Sequence, residues 1–157
     1  MTLFDPTTDL EINRLLQASP AQIWRCWSDA RLLEQWWAPK PVITRDVVID
    51  LRPGGRFYSV MDVPDHGEMA GEGCFLDVVP ERRLVWTDMM EEGWRPARAE
   101  FFGFTAVITM EPEGTGTRYV ARAMHRKPEV AKQHADMGFY DGWGTVITQL
   151  DALALGM

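Results

Sequence analysis

Asp88 and His125 are the residues whose types and placement come nearest to acid–base chemistry. Asp88 continues the alternation of Leu84 and Trp86, and His125 that of Ala121 and Ala123, so both are expected to point inward near one end of a sheet. A carboxylate within hydrogen-bond reach of an imidazole makes a tuned general base. The competing reading is a strand-end Asp and His in water, because only a buried, perturbed pair supports a catalytic role. Other chemistry finds less. His66, His125 and His134 show no HxH, HxxxH or HExxH spacing, so no metal site is expected. Cys26 has no adjacent base and no G-x-S-x-G turn occurs, which leaves nucleophilic catalysis without a candidate. Gly54-Gly55 and Gly114-Thr115-Gly116 read as hairpin turns rather than phosphate cradles, since neither opens a helix after a strand. No cofactor is implied.

The elements that must position these side chains follow from periodicity. Residues 9–17 alternate as a strand. Ser19-Pro20 then starts a helix over 20–28, with Ser as N-cap and Pro in its first position. Ser28 or Asp29 caps a second short helix that carries Leu32, Leu33, Trp36 and Trp37, and Pro39 and Pro41 end it. Strands are expected over 43–51, 56–63, 68–79, 84–90, 101–110 and 117–125, with turns at Pro53-Gly54-Gly55, Pro64 to Gly67, Pro80 to Arg82 and Glu113 to Gly116. Residues 91–99 form a polar loop with Trp94 exposed on it. The phase of 68–79 is open, and Glu68 and Glu72 read as rim positions. Arg118, Arg122 and Arg126 are expected to form a solvated outer stripe. From Pro128 to about Leu155 the spacing predicts one long helix, with Gly138, Gly142 and Gly144 inside it. Each glycine costs roughly 1 kcal/mol against Ala there, so the three mark a bend or a close approach to the sheet.

This is one α+β domain over 1–157, with its core at about 9–155. At 157 residues, 46% hydrophobic, it is large enough for a core without disulfide or metal staples. Cys26 and Cys74 are expected as buried free thiols. Sixteen basic against 23 acidic residues give a net charge of −7, which argues against nucleic acid and anionic membrane surfaces. The first residues show no basic and apolar run, so no signal peptide is expected, and no run of ~20 apolar residues predicts a membrane span. A cytoplasmic location follows by elimination, as a monomer or a homodimer.

An antiparallel sheet with one long terminal helix must bury a face of each against the other. Where the inward side chains are small or flexible, as at Ser59, Met61, Ala121 and Ala123, space is left beneath the helix. A fully packed core is the alternative.

Several stretches resemble one family. The run SPAQIWRCWSDARLLEQWWAP (19–39) has the double-Trp pattern of domains similar to the C-terminal domain of the Hsp90 ATPase activator. These form a branch of the START-like superfamily, also called Bet v 1-like or SRPBCC. DLRPGGRF (50–57), VVPERRLVWTD (78–88), GTGTRYVAR (114–122) and GFYDGWGTVITQLDAL (138–153) resemble its other motifs in the right order. The resemblance implies a helix-grip fold: a curved antiparallel sheet of six to seven strands, two short N-terminal helices and a long C-terminal helix packed across the sheet. It favours the cavity over the packed core but supplies no catalytic residues.

The expected function is binding of a small hydrophobic or amphipathic ligand between sheet and C-terminal helix. Met61, Trp86, Phe102, Phe104, Tyr119, Phe139 and Trp143 are the candidate wall, with Trp36 or Trp37 near the entrance. Ser59, Asp88 and His125 are the candidate polar anchors. The family also implies a chaperone partner of the Hsp90 type. Against it, the chain begins about eight residues before its first strand, where the family's activators carry a separate N-terminal region. A cyclase- or hydrolase-type enzyme using Asp88 and His125 is the third reading.

Overall fold

A computed structural model describes residues 3–99 and 102–157. Along the chain run β1 (Asp9–Leu16), α1 (Pro20–Ser28), α2 (Ala30–Leu33), β2 (Ile43–Ile49), β3 (Arg56–Val63), β4 (Gly67–Val79) and β5 (Arg83–Thr87). Then come β6 (Met90–Glu91), β7 (Arg95–Pro96), β8 (Phe104–Glu113), β9 (Gly116–His125), α3 (Pro128–Asp136) and α4 (Phe139–Leu155). Seven strands make one antiparallel sheet in the order β1-β9-β8-β5-β4-β3-β2, and β6 and β7 form a separate ribbon. Register shifts at Arg45–Val48 and Phe75–Asp77 interrupt the pairing, and bulges of this kind bend a sheet. The helix-grip arrangement is therefore the observed one.

Local chemistry sets the first helix. The Gln22 N–H donates to Ser19 Oγ at 3.2 Å, and the Ser19 N–H donates back to Gln22 Oε1 at 2.9 Å. This reciprocal pair satisfies two donors that a helix start leaves open. Ile23, Cys26 and Trp27, spaced three and four apart, are then buried on one face. Asp29 caps α2, accepting from the Arg31 and Leu32 N–H groups. The second helix is shorter than expected, because after Leu33 the chain tightens into bonds three residues apart, Gln35 to Leu32 and Trp36 to Leu33. Trp36 and Trp37 thus sit on a turn. The Trp36 indole N–H donates to the Cys26 carbonyl at 3.1 Å, filling an acceptor in the last turn of α1.

The single C-terminal helix is two. Gly138, at φ +95°, takes a left-handed conformation that breaks it between α3 and α4. Gly144 has a different role: the Arg14 guanidinium crosses α4 there and donates to the Gly144 carbonyl at 3.0 Å. A Cβ on Gly144 would lie 2.7 Å from that guanidinium.

The core lies between the sheet and the helices. At its centre Trp27 meets Trp36, Trp37 and Trp86 at ring distances of 5.0, 5.4 and 5.5 Å. Its indole N–H donates to the Tyr119 hydroxyl at 3.2 Å. Cys26 and Cys74 are buried free thiols, and burial pushes the Cys26 thiol up to about 11. Arg122 departs from the expected solvated stripe. It is only 8% exposed, pairs with Glu11 at 3.4 Å and lies under the Phe4 ring. Glu11 of the neighbouring strand β1 and Phe4, ahead of that strand, cover this part of the outer face. Among the described residues no helix is long and apolar enough to cross a membrane.

Candidate functional site: a cavity under the C-terminal helix

A cavity of about 420 Å³ separates part of α4 from the sheet. Trp86, Ile108, Tyr119 and Ala121 contribute from the central strands, and Met61 and Met69 from β3 and β4. Helix α4 adds Phe139, Gly142, Trp143, Val146 and Ile147. Trp27, Trp36 and Trp37 stand at the wall as one group of touching rings, and Phe102, Phe104 and His134 belong to another. Among the described residues no Asp, Glu, Lys or Arg lines it. The lining residues most open to solvent are Met69 and Met137, 38% and 62% exposed. They place the mouth between the end of the β3–β4 hairpin and the α3–α4 break. Methionine is suited to such a rim, since its unbranched chain adapts to different shapes.

Of the ten side chains expected at the cavity, nine line it: Trp36, Trp37, Met61, Trp86, Phe102, Phe104, Tyr119, Phe139 and Trp143. Ser59 does not. It is buried in the same strand phase, but its short side chain sits beside Gly71 while the longer Met61 and Met69 form the wall. The open phase of β4 is settled by Met69, which lines the cavity. Glu68 and Glu72 face the other way and pair with Arg45 and Arg56.

Asp88 and His125 are not brought together. β5 ends at Thr87, so the alternation that predicted an inward Asp88 stops one residue short of it. The carboxylate instead accepts the N–H groups of Phe102, Gly103 and Phe104 at 3.0, 3.2 and 2.9 Å. It holds the turn that launches β8. Removing three such bonds costs about 2–3 kcal/mol, since each partly buried N–H left open costs about a kcal/mol. Asp88→Ala should therefore lower the unfolding free energy measured in urea by that amount, and Asp88→Asn by less.

His125 has another partner, one that linear spacing does not signal. Its Nε2 lies 2.8 Å from His134 Nδ1, and its Nδ1 lies 2.9 Å from the Thr8 carbonyl. The partners are nine residues apart and meet because α3 folds back on the end of β9. His134 lines the cavity and is only 8% exposed; His125 does not line it. The His134 ring stacks on Phe102 at 4.2 Å and meets Phe139 at 5.1 Å. Burial, and next the neighbouring His125, hold His134 down at about 4 against an ordinary value of 6.5. Between these values the unfolded chain binds the proton and the folded one does not. Stability should thus be full above about pH 6.5 and fall by about 2–3 kcal/mol as pH drops towards 4. Urea unfolding across that range measures it, and His134→Phe should flatten the slope.

The family model described as "Activator of Hsp90 ATPase homolog 1-like protein" matches residues 17–154. The chain belongs to this family. Among solved structures, Protein NE0264 from Nitrosomonas europaea resembles this Hsp90 ATPase activator homolog 1-like chain at 44% identity. That match covers 96% of each chain, with a TM-score of 0.91. Protein Ms6760 from Mycobacterium smegmatis is 30% identical, covering 96% of this chain and 92% of its own, with a TM-score of 0.80. A solution structure from Arthrobacter aurescens, 23% identical with a TM-score of 0.82, covers 99% of this chain and 92% of its own. It shares the START-like fold. No curated protein matches the chain.

Proposed function

We propose that this member of the family binds a small apolar or amphipathic molecule in the cavity between its sheet and α4. The observation that carries the reading is the wall. A space of about 420 Å³ lined by aromatic, aliphatic and methionine side chains, with no carboxylate or guanidinium among the described residues, suits a ligand with little charge. Protein interiors ordinarily close such spaces, because lining atoms with nothing opposite them lose their dispersion contacts. Here Gly142 keeps one open on the inner face of a helix.

The neutral dye N-phenyl-1-naphthylamine tests the proposal, since it fluoresces on entering an apolar site. Its emission should rise to saturation at one dye per folded chain. A linear rise, or none, would reject the reading.

A further inference from the structure

The histidine pair at the cavity wall has a proton arrangement fixed by its partners, and that arrangement selects among ligands. The Thr8 carbonyl accepts the His125 backbone N–H at 2.9 Å and faces His125 Nδ1 at 2.9 Å. A carbonyl only accepts, so His125 Nδ1 carries hydrogen. In an uncharged imidazole the other nitrogen is then bare, and His125 Nε2 can only accept. Its neighbour at 2.8 Å is His134 Nδ1, which must donate. His134 Nε2 is left with a lone pair. This nitrogen has no hydrogen-bond partner among the described residues, although the residue is more than nine-tenths buried and its ring lines the cavity.

The ring is not free to turn away. Phe102 stacks on its face, and Phe104, Phe139 and Trp143 meet it edge-on between 5.1 and 6.1 Å. Around it, β9 presents His125, β8 and the residues before it present Phe104 and Phe102, and α4 presents Phe139 and Trp143. None of these carries a fixed charge. An acceptor that faces the cavity with no protein donor is open to water or to a ligand, and a ligand that donates there takes the place of water.

We propose that the cavity takes an apolar ligand carrying a neutral hydroxyl or N–H group, and that His134 Nε2 accepts that hydrogen. This rests on the ligand-binding reading above and names the class of molecule. His125 is a positioning residue: it holds His134 in the form that accepts. A carboxylate ligand is disfavoured, because it would set lone pair against lone pair with no cation among the described residues of the wall.

Calorimetry with 2-naphthol, 2-methoxynaphthalene and 2-naphthoate at neutral pH separates the possibilities. Both naphthol and its methyl ether offer an oxygen that Tyr119 could donate to, so their difference isolates the donated hydrogen. Naphthol should bind about tenfold tighter than the ether, and naphthoate weakest. His134→Phe should bind naphthol and ether alike, and His125→Phe should lose the preference too, because His134 can then place its hydrogen on Nε2. Equal affinity of the two compounds for the unmodified protein would overturn this inference while leaving the cavity reading standing. Saturable binding of neither would overturn both. One measurement needs no variant: nitrogen NMR of the histidine rings should find hydrogen on Nδ1 of both, with His134 Nε2 bare and shifted by naphthol. Hydrogen on His134 Nε2 in the free protein would refute the proposal.

Discussion

Gly142→Leu should abolish ligand binding and leave the protein folded. Gly142 lies in α4 and lines the cavity, and a Cβ built on it meets nothing within 4 Å. A leucine there would extend into the space a ligand needs without displacing any protein atom first. In the helix interior it also removes a glycine penalty of roughly 1 kcal/mol, so the melting temperature should hold or rise. The affinity for N-phenyl-1-naphthylamine should fall by about a hundredfold or more, equivalent to ~3 kcal/mol. Gly144, one residue further but one, is the control. A side chain there would run into Arg14 and displace its bonds to Gly144 and Thr148. Gly144→Leu should therefore destabilise the fold. Dye titration beside thermal unfolding separates the two variants.

The largest stability effect is expected at Trp27→Ala, at about 4–5 kcal/mol. Trp27 is fully buried and shares edge or tilted contacts with Trp36, Trp37, Phe57 and Trp86. Its removal leaves a void against which four other rings pack, and takes a hydrogen bond from Tyr119. Such a loss is comparable to the whole stability of many domains. Trp94→Ala, in an exposed loop, should cost about 1 kcal/mol or less. Urea unfolding of the two variants measures the contrast.

The parts of the fold legible in the sequence are those with local causes. Helix α1 appears at residues 20–28 as read, because Ser-Pro supplies its start and Ile23 and Trp27 belong to its apolar stripe; Cys26 rather than Trp24 completes the buried face. The strand phases of 104–110 and 117–123 put Phe104, Tyr119 and Ala121 on the cavity wall for the same reason. What was not legible depends on tertiary contact. The break at Gly138 is hidden because apolar residues continue at helical spacing on both sides of it. Asp88 reads as inward by alternation, but its three N–H partners come from a turn fourteen to sixteen residues later. Arg122 reads as solvated, and it is Glu11 and Phe4, far away in the chain, that cover it. The His125–His134 contact spans a strand end and a helix turn, so no ligand-like spacing reveals it.

The seven tryptophans offer the most direct test of the proposed binding site. Trp27, Trp36, Trp37, Trp86 and Trp143 line the cavity; Trp24 and Trp94 do not. In a nitrogen–proton NMR titration with 2-naphthol, the indole signals of those five should shift and saturate together, while those of Trp24 and Trp94 stay in place. Shifts confined to Trp94, or no saturating shift at any of the five, would contradict ligand binding between the sheet and α4.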